Sequence, residues 1–286
     1  MNKLGMNLFP WTVTMDEDLT GTFSFLKQAG YDFIETPIND TNVAKWEQLG
    51  QTIRSYGLDI QACSILPAHL SLIDTDPAVR RAGIDYLKGV VDCTAALGAN
   101  ILMGPFFAGF NTFTGQAPTE EEWTWSVTAM REIANHAQTR DVTLAVEYLN
   151  RFEIYLITSA DELVRYLEAV NHPNCQAAFD TFHGNIEEKS IPAALRTLAP
   201  YLVHIQLSEN DRSTPGQGHV DFDAIFDTLQ EINYTGPIAI EAFGQTPPEM
   251  ASAAHIWRKM FASPEQLAVD SMAFLKAATA ERILNK

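Results

Sequence analysis

Short segments in which apolar residues dominate or alternate with polar ones recur along the chain. Longer stretches with apolar residues at helical spacing separate them. The short segments read as strands at residues 3–9, 33–38, 60–66, 100–106, 143–149, 175–182, 202–208 and 237–243. The longer stretches carry helix boundaries. Residues 16–30 open on acids and stop at Gly30, the charge and glycine asymmetry of a capped helix. Residues 76–98 open at Asp76-Pro77 and stop at Gly98, and residues 119–140 begin with Thr119 and three glutamates. Further helical patterns cover 159–170, 190–200 and 221–234, and residues 263–286 predict an additional C-terminal helix.

Strict alternation of strand and helix implies a parallel sheet. Eight strands in 286 residues match an α/β fold of the (β/α)8 TIM-barrel type, which typically has about 250 residues. A doubly wound sheet usually carries a Gly-rich phosphate turn after its first strand. Here "PWTVTMDE" follows instead, without GxGxxG spacing. No linker or composition break divides the chain, so a single domain over residues 1–286 is expected.

Side chains alternate across a strand, and in a barrel one set points inward. On the fifth strand Thr143, Ala145 and Glu147 share the inner face, and on the sixth Gln176, Ala178 and Asp180 do. The seventh aims His204, Gln206 and Ser208 inward and leaves Val203, Ile205 and Leu207 toward the helices. The eighth aims Ala239 and Glu241 inward. Four consecutive strands thus end on Glu147, Asp180, Gln206 and Glu241, at the barrel end that carries active sites. Three carboxylates in a low-dielectric mouth repel one another by on the order of several kcal/mol, unless a cation sits among them. Three carboxylates and an amide oxygen form a hard donor set. It suits Mn²⁺ first, with Mg²⁺ or Co²⁺ as alternatives, and suits Zn²⁺ less well.

The formal net charge of −17 repels phosphate backbones and argues against nucleic-acid binding. No apolar run reaches the ~18 residues of a membrane span, so no membrane association is expected. The N-terminus shows no signal-peptide pattern, which makes the cytoplasm the expected compartment. Cys63, Cys93 and Cys175 lack CxxC spacing and read as buried apolar residues.

The segments "VEYLNRFE", "FDTFHGNIEE", "VHIQLSENDR", "PGQGHVDF" and "IEAF" together resemble the xylose-isomerase-like barrels of the sugar isomerase/epimerase superfamily. The pattern is closest to the ketose 3-epimerases of the D-tagatose/D-psicose type. The strong match covers residues 143 to 243, and the first half agrees only in barrel pattern. The resemblance implies that Glu147, Asp180, Gln206 and Glu241 bind the metal, that Glu147 and Glu241 double as the acid/base pair, and that Glu153, His183 and Arg212 hold the carbonyl end of a sugar. It also implies a homodimer or homotetramer. One position departs: these epimerases usually carry His where this chain has Gln206, whereas hydroxypyruvate isomerase relatives carry Gln.

Two glutamates across one carbon invert it, which favours epimerisation at C3 of a ketose through an enediolate. The nearest rival is an aldose–ketose isomerase of the hydroxypyruvate type, followed by an inosose dehydratase or a lyase that eliminates C-glycosides. A DNA-repair endonuclease of the same superfamily needs a His-rich metal cluster and a basic groove, against which seven scattered His and the acidic charge argue. A non-catalytic sugar-binding barrel would not need both glutamates.

The supporting residues also have plainer readings. On composition Arg212 is a loop charge, His183 a loop histidine and Asp221 an N-cap. His204, below Gln206, reads as a hydrogen-bonding partner rather than a ligand. Trp11, Phe106, Phe107 and Phe110 suit either packing or a sugar face. The absence of a Lys/Arg cluster favours an unphosphorylated sugar.

Overall fold

In the computed structural model, which describes residues 2–283, the eight predicted strands close into one parallel barrel in chain order. They are β1 (Leu4–Asn7), β2 (Phe33–Pro37), β3 (Asp59–Cys63), β4 (Ile101–Gly104), β5 (Thr143–Glu147), β6 (Cys175–Asp180), β7 (Leu202–Leu207) and β8 (Ile238–Ile240). Their outward residues, such as Leu102, Val146, Phe179, Ile205 and Ile240, join the main core between sheet and helices. Each such side chain contributes about 1.5–3 kcal/mol when fully buried. The inward residues Cys63, Met103, Ala145 and Ala178 form a separate plug inside the barrel. Below it, Gly5 leaves room for Phe33: a Cβ at position 5 would lie 2.2 Å from that ring.

The surrounding helices are α1 (Thr20–Ala29), α2 (Val43–Ser55), α3 (Pro77–Leu97), α4 (Glu120–Gln138), α5 (Ala160–Val170), α6 (Thr181–Glu187), α7 (Ile191–Leu198), α8 (Phe222–Glu231), α9 (Pro248–Ala253) and α10 (Pro264–Ile283). Local chemistry sets their ends. Asp76 accepts a hydrogen bond from the Ala78 N–H ahead of α3, and Gly98 ends that helix at φ 86°. Thr119 and Glu122 form a reciprocal capping box on α4. The C-terminal helix α10 packs between α8 and α1 and completes the outer ring. Phe274 rests on Phe222, and the Tyr31 hydroxyl donates to the Ala268 carbonyl. Residues 284–286 of that predicted helix lie outside the described residues. Among the described residues, no helix is long and apolar enough to cross a membrane.

The structure corrects the sequence reading in several places. Helices α2 and α9 have no counterpart in it, and for α2 the reason is visible. Gly50 interrupts the helical pattern there, but a Cβ at that position would come 2.1 Å from the Leu97 carbonyl, so the glycine lets α2 lie against α3. The sixth strand stops at Asp180, which caps α6 by accepting from the Phe182 N–H at 2.9 Å. His183 therefore sits in the first turn of a helix rather than in a loop. Finally, the β6–β7 register slips, with Ala177 opposite Leu202 but Ala178 opposite His204. Val203 is the extra residue, and it packs against the inner plug instead of facing the helices.

Candidate active site

The strand register brings the predicted residues to one end of the barrel. Asp180 pairs with Gln206, and Gln206 with Ala239, two residues before Glu241. Glu241 lies just past β8, held by its N–H to the Leu207 carbonyl at 3.1 Å. Glu147, Asp180, Gln206 and Glu241 are all buried, at 6%, 1%, 1% and 6% exposure.

Arg212 stands in the middle of the acids. Its Nη1 donates to Asp180 Oδ2 and Glu241 Oε2, both at 2.7 Å, and to Ser208 Oγ at 3.1 Å. It is neither the solvated charge that composition suggests nor free to serve only a ligand. Its guanidinium lies between the rings of Phe182 and Phe243, 3.7 and 4.6 Å from their centroids. The loop that carries it is built around Glu209, whose carboxylate accepts from the N–H groups of Asn210, Gly216, His219 and Val220. Arg212 adopts φ +64°, an uncommon conformation for a bulky residue. Two hydrogen bonds fix it there: its N–H to the Glu209 carbonyl, and the Phe243 N–H to its own carbonyl.

Burial sets the electrostatics. It raises the carboxyl of Glu147 well above the ordinary range, and the charges of Glu241 and Asp180 push it further. Glu241 is raised in the same way, against the opposing effect of Arg212. Burial raises Asp180 more than Arg212 lowers it. For Arg212 itself burial disfavours the charge, but Asp180 and Glu241 outweigh burial and hold its pKa up. His183 is pushed well below the ordinary histidine range by burial and by Arg212.

His183 Nδ1 accepts from the Asn150 backbone N–H at 3.1 Å, and a backbone nitrogen can only donate. The single proton of the neutral ring therefore sits on Nε2, which lies 3.6 Å from Asp180 Oδ2 and 3.7 Å from Glu147 Oε1. The same Nε2 lies 3.1 Å from Arg212 Nη2. With the ring proton on Nε2 that contact sets two donors face to face, so we read it as proximity and not as a hydrogen bond. Glu153 follows in the β5 loop, where its Oε1 accepts from Asn150 Nδ2 at 2.7 Å.

Glu147, Asp180 and His183 bring potential ligand atoms within 4.8 Å of one another, a group that could hold a metal ion; with its proton on Nε2, His183 leaves the ligation to the carboxylates. The wider set fits a divalent cation on two further grounds. One guanidinium against Glu147, Asp180 and Glu241 leaves two carboxylates uncompensated when all three are ionised. In addition, Gln206 Oε1 is buried and has no hydrogen-bond partner. Its Nε2 donates to Glu35 Oε1 at 2.5 Å and Glu241 Oε1 at 3.0 Å. An amide oxygen left bare in a buried site is costly unless something accepts its lone pairs.

A cavity of about 350 Å³ opens over these residues. Glu147, Glu153, His183, Arg212 and Glu241 reach it, with Phe9, Phe110, Phe182 and Phe243 among its apolar walls. Of the aromatic candidates, Phe106 and Phe107 are core residues, and Trp11 Nε1 donates to Glu265. A second cavity of similar size, about 380 Å³, lies beside Trp257 and shares Phe182 and Arg212, but Glu147, Asp180 and Glu241 do not line it. The chemistry belongs to the first.

Sequence reasoning passed over Glu35 and Asn7, which lie fully buried inside the barrel. His204 Nε2 lies 2.7 Å from Glu35 Oε2, although neither atom makes a hydrogen bond of sound geometry. The signal for Glu35 was present: it is a lone acid on the inner face of an apolar strand, as Glu147 is.

The model of the xylose isomerase-like TIM barrel family matches residues 23–278. An L-ribulose 3-epimerase of Mesorhizobium japonicum is 30% identical over 278 residues, which cover 96% of this chain and 93% of that enzyme. A solved L-ribulose 3-epimerase aligns with a TM-score of 0.93 at 29% identity, over 100% of this chain and 97% of its own. A D-allulose 3-epimerase from Methylomonas sp., solved in complex with D-allulose, gives 0.91 at 27% identity over 97% of each chain. The closed barrel, its acid-lined mouth and these likenesses lead to one assignment: the chain belongs to the xylose isomerase-like TIM barrel family and is a sugar isomerase/epimerase.

Proposed function

We propose that the protein inverts C3 of a free ketose, with Glu147 and Glu241 as the acid/base pair and a divalent cation, Mn²⁺ first, held by Glu147, Asp180, Gln206 and Glu241. The observation that carries this reading is the placement of two buried glutamates, Glu147 at the end of β5 and Glu241 just past β8, reaching one cavity from strands with two others between them. The cation, when bound, supplies Lewis-acid polarisation of the C2 carbonyl.

One glutamate removes the C3 proton, leaving an enediolate, and the other returns a proton to the opposite face. Burial raises both carboxyls above the ordinary range, the direction that lets a carboxyl donate a proton as well as accept one. His183 Nε2–H and Arg212 offer donors to the carbonyl-end oxygens, and Glu153 offers an acceptor for a hydroxyl. Among the described residues, Arg212 is the one Lys or Arg reaching the cavity, and its Nη1 is already engaged by two carboxylates, which favours an uncharged sugar. The 3-epimerase names of the relatives support the same carbon.

Gln206 supports a second reading, aldose–ketose isomerisation of the hydroxypyruvate type, in which a proton moves between C1 and C2. Incubation of ketoses with the Mn²⁺-loaded protein in D₂O, followed by NMR, separates the two. The expected result is deuterium at C3 with ketose as the product. Deuterium only at C1 or C2, with aldose accumulating, would establish the isomerase and overturn the epimerase.

A further inference from the structure

The reaction uses no group in the layer beneath the metal site, yet that layer holds a buried carboxylate with a defined set of contacts. Glu35 on β2 is fully buried and does not reach the cavity. Its Oε1 accepts from Asn7 Nδ2 and from Gln206 Nε2, each at 2.5 Å. We propose that Glu35 is a positioning residue that sets which end of the Gln206 amide faces the metal site. The inference rests on the metal-binding reading above and adds a residue that the reading does not use.

The two ends of a glutamine amide have nearly the same shape and opposite chemistry. The NH₂ end donates, and only the oxygen can ligate a cation. A glutamine ligand therefore needs its orientation fixed. The chain of contacts supplies that, starting from a group whose polarity is not in question. The Phe9 backbone N–H donates to Asn7 Oδ1 at 2.8 Å. This turns Asn7 Nδ2 toward Glu35 Oε1, where it meets an acceptor. Glu35, accepting from Asn7, accepts from Gln206 as well. The nitrogen of Gln206 is thereby committed to Glu35 and Glu241, and its oxygen is the end left without a partner. With the amide turned over, that oxygen would face two carboxylate oxygens at 2.5 and 3.0 Å, distances too short to admit a water between them. Glu241 alone is a poor anchor, because it belongs to the ligand set and to the ion pair with Arg212. Glu35 stands outside both.

Replacing Glu35 by Gln keeps the shape but adds a donor, which can hydrogen-bond the Gln206 oxygen and draw it from the metal site. Calorimetric or EPR titration of the full chain with Mn²⁺ tests the idea. The E35Q variant should bind Mn²⁺ about tenfold more weakly than the unaltered protein, the scale of losing an outer partner of a ligand. The compensating double variant E35Q/Q206E conserves net charge and places a carboxylate, with an oxygen at either end, at the ligand position. It should recover affinity to within about threefold of the unaltered protein, a small part of the loss that an outer-partner substitution causes.

Q206E alone adds a carboxylate to the cation site, so it is measured beside the double variant: a merely structural role for Glu35 leaves the E35Q loss undiminished in the Q206E background. Unchanged affinity in E35Q, or a double variant as weak as E35Q, overturns the proposal. Absence of Mn²⁺ binding by the unaltered protein would instead overturn the metal reading itself. Should E35Q fail to fold, Asn7→Ala loosens Glu35 without removing it. It should give a smaller loss, again erased by Q206E, and unchanged affinity there also overturns the idea.

Discussion

Strands β5 to β8 and strands β1 to β4 contribute unlike ends to the same cavity. The first group ends on Glu147, Asp180, Gln206 and Glu241, with Arg212 in the loop after β7. The second presents Phe9, Ile38, Cys63, Ile65 and Met103 to the opening, mostly carbon and sulfur. The difference is electrostatic as much as chemical. Charges facing an apolar wall interact more strongly than charges facing water, and the same wall raises the carboxyl pKa values. The polar half supplies the groups and the apolar half supplies the medium that tunes them. Glu35 is the exception, since it crosses from β2 to touch Gln206 on β7.

The sharpest test of the division removes acids from the polar half. Glu147→Gln and Glu241→Gln should each lower turnover by about 10²–10⁴, the usual worth of a positioned acid or base. Steady-state kinetics with a ketose, at Mn²⁺ concentrations that saturate each variant, isolates this effect from weaker metal binding. A loss under tenfold in either variant would remove that residue from the acid/base pair.

The next effect concerns charge balance. Arg212→Met leaves Asp180 and Glu241 buried without their cation and should cost about 3–5 kcal/mol of stability, the scale of breaking one side of a buried pair. Thermal denaturation of the metal-free protein reads it. The pH dependence has a definite sign. Burial raises the folded-state pKa of Glu147 and Glu241 above the unfolded value, so the folded, metal-free protein binds more protons than the unfolded chain. Its stability from these groups is present at low pH and is lost as pH rises through their folded values. Mn²⁺ competes with protons for its carboxylate ligands, so its stabilising shift in melting temperature should grow across the same window. A shift that shrinks as pH rises would contradict carboxylate ligation.

The two halves were not equally legible in the sequence. The strands could be placed because each is a short apolar run between stronger helix signals, and the polar residues of β5 to β8 fell in register by simple alternation. Alternation failed at Val203, because a one-residue slip between neighbouring strands leaves no mark in either one alone. Helix α2 was hidden by Gly50, whose reason lies across the helix interface at Leu97. Glu35 carried the same local signal as Glu147, but its contacts come from other strands: Asn7 on β1, and His204 and Gln206 on β7, far away in the chain. Composition made Arg212 a loop charge and only the family resemblance put it beside a sugar, since its burial depends on the loop that Glu209 gathers. Tertiary pairing decided each of these.

A smaller effect separates the ligand role of Gln206 from its place in the packing. Gln206→Ala should weaken Mn²⁺ binding by about tenfold, the scale of losing one ligand-shell interaction. Gln206→His, which still offers one ligand atom, should stay close to the unaltered protein. Equal affinity in all three forms, measured by calorimetry, would exclude the side chain from the metal site.

The smallest effect is expected on the apolar wall. Ile65, 45% exposed, lies just beyond β3 at the cavity rim and far in sequence from Glu147, Asp180 and Glu241. Ile65→Ser removes apolar surface without touching the carboxylates. Surface changes of this kind alter stability by no more than about 0.5 kcal/mol. Weaker packing of the rim against a bound sugar should raise KM, and a shift of up to about threefold corresponds to the same small energy. Turnover should not move, because an interaction equal in ground state and transition state lowers KM without affecting kcat. A tenfold fall in kcat with unchanged KM would show that the wall acts on the chemistry itself, and the division between a reacting half and a passive half would then fail at its edge.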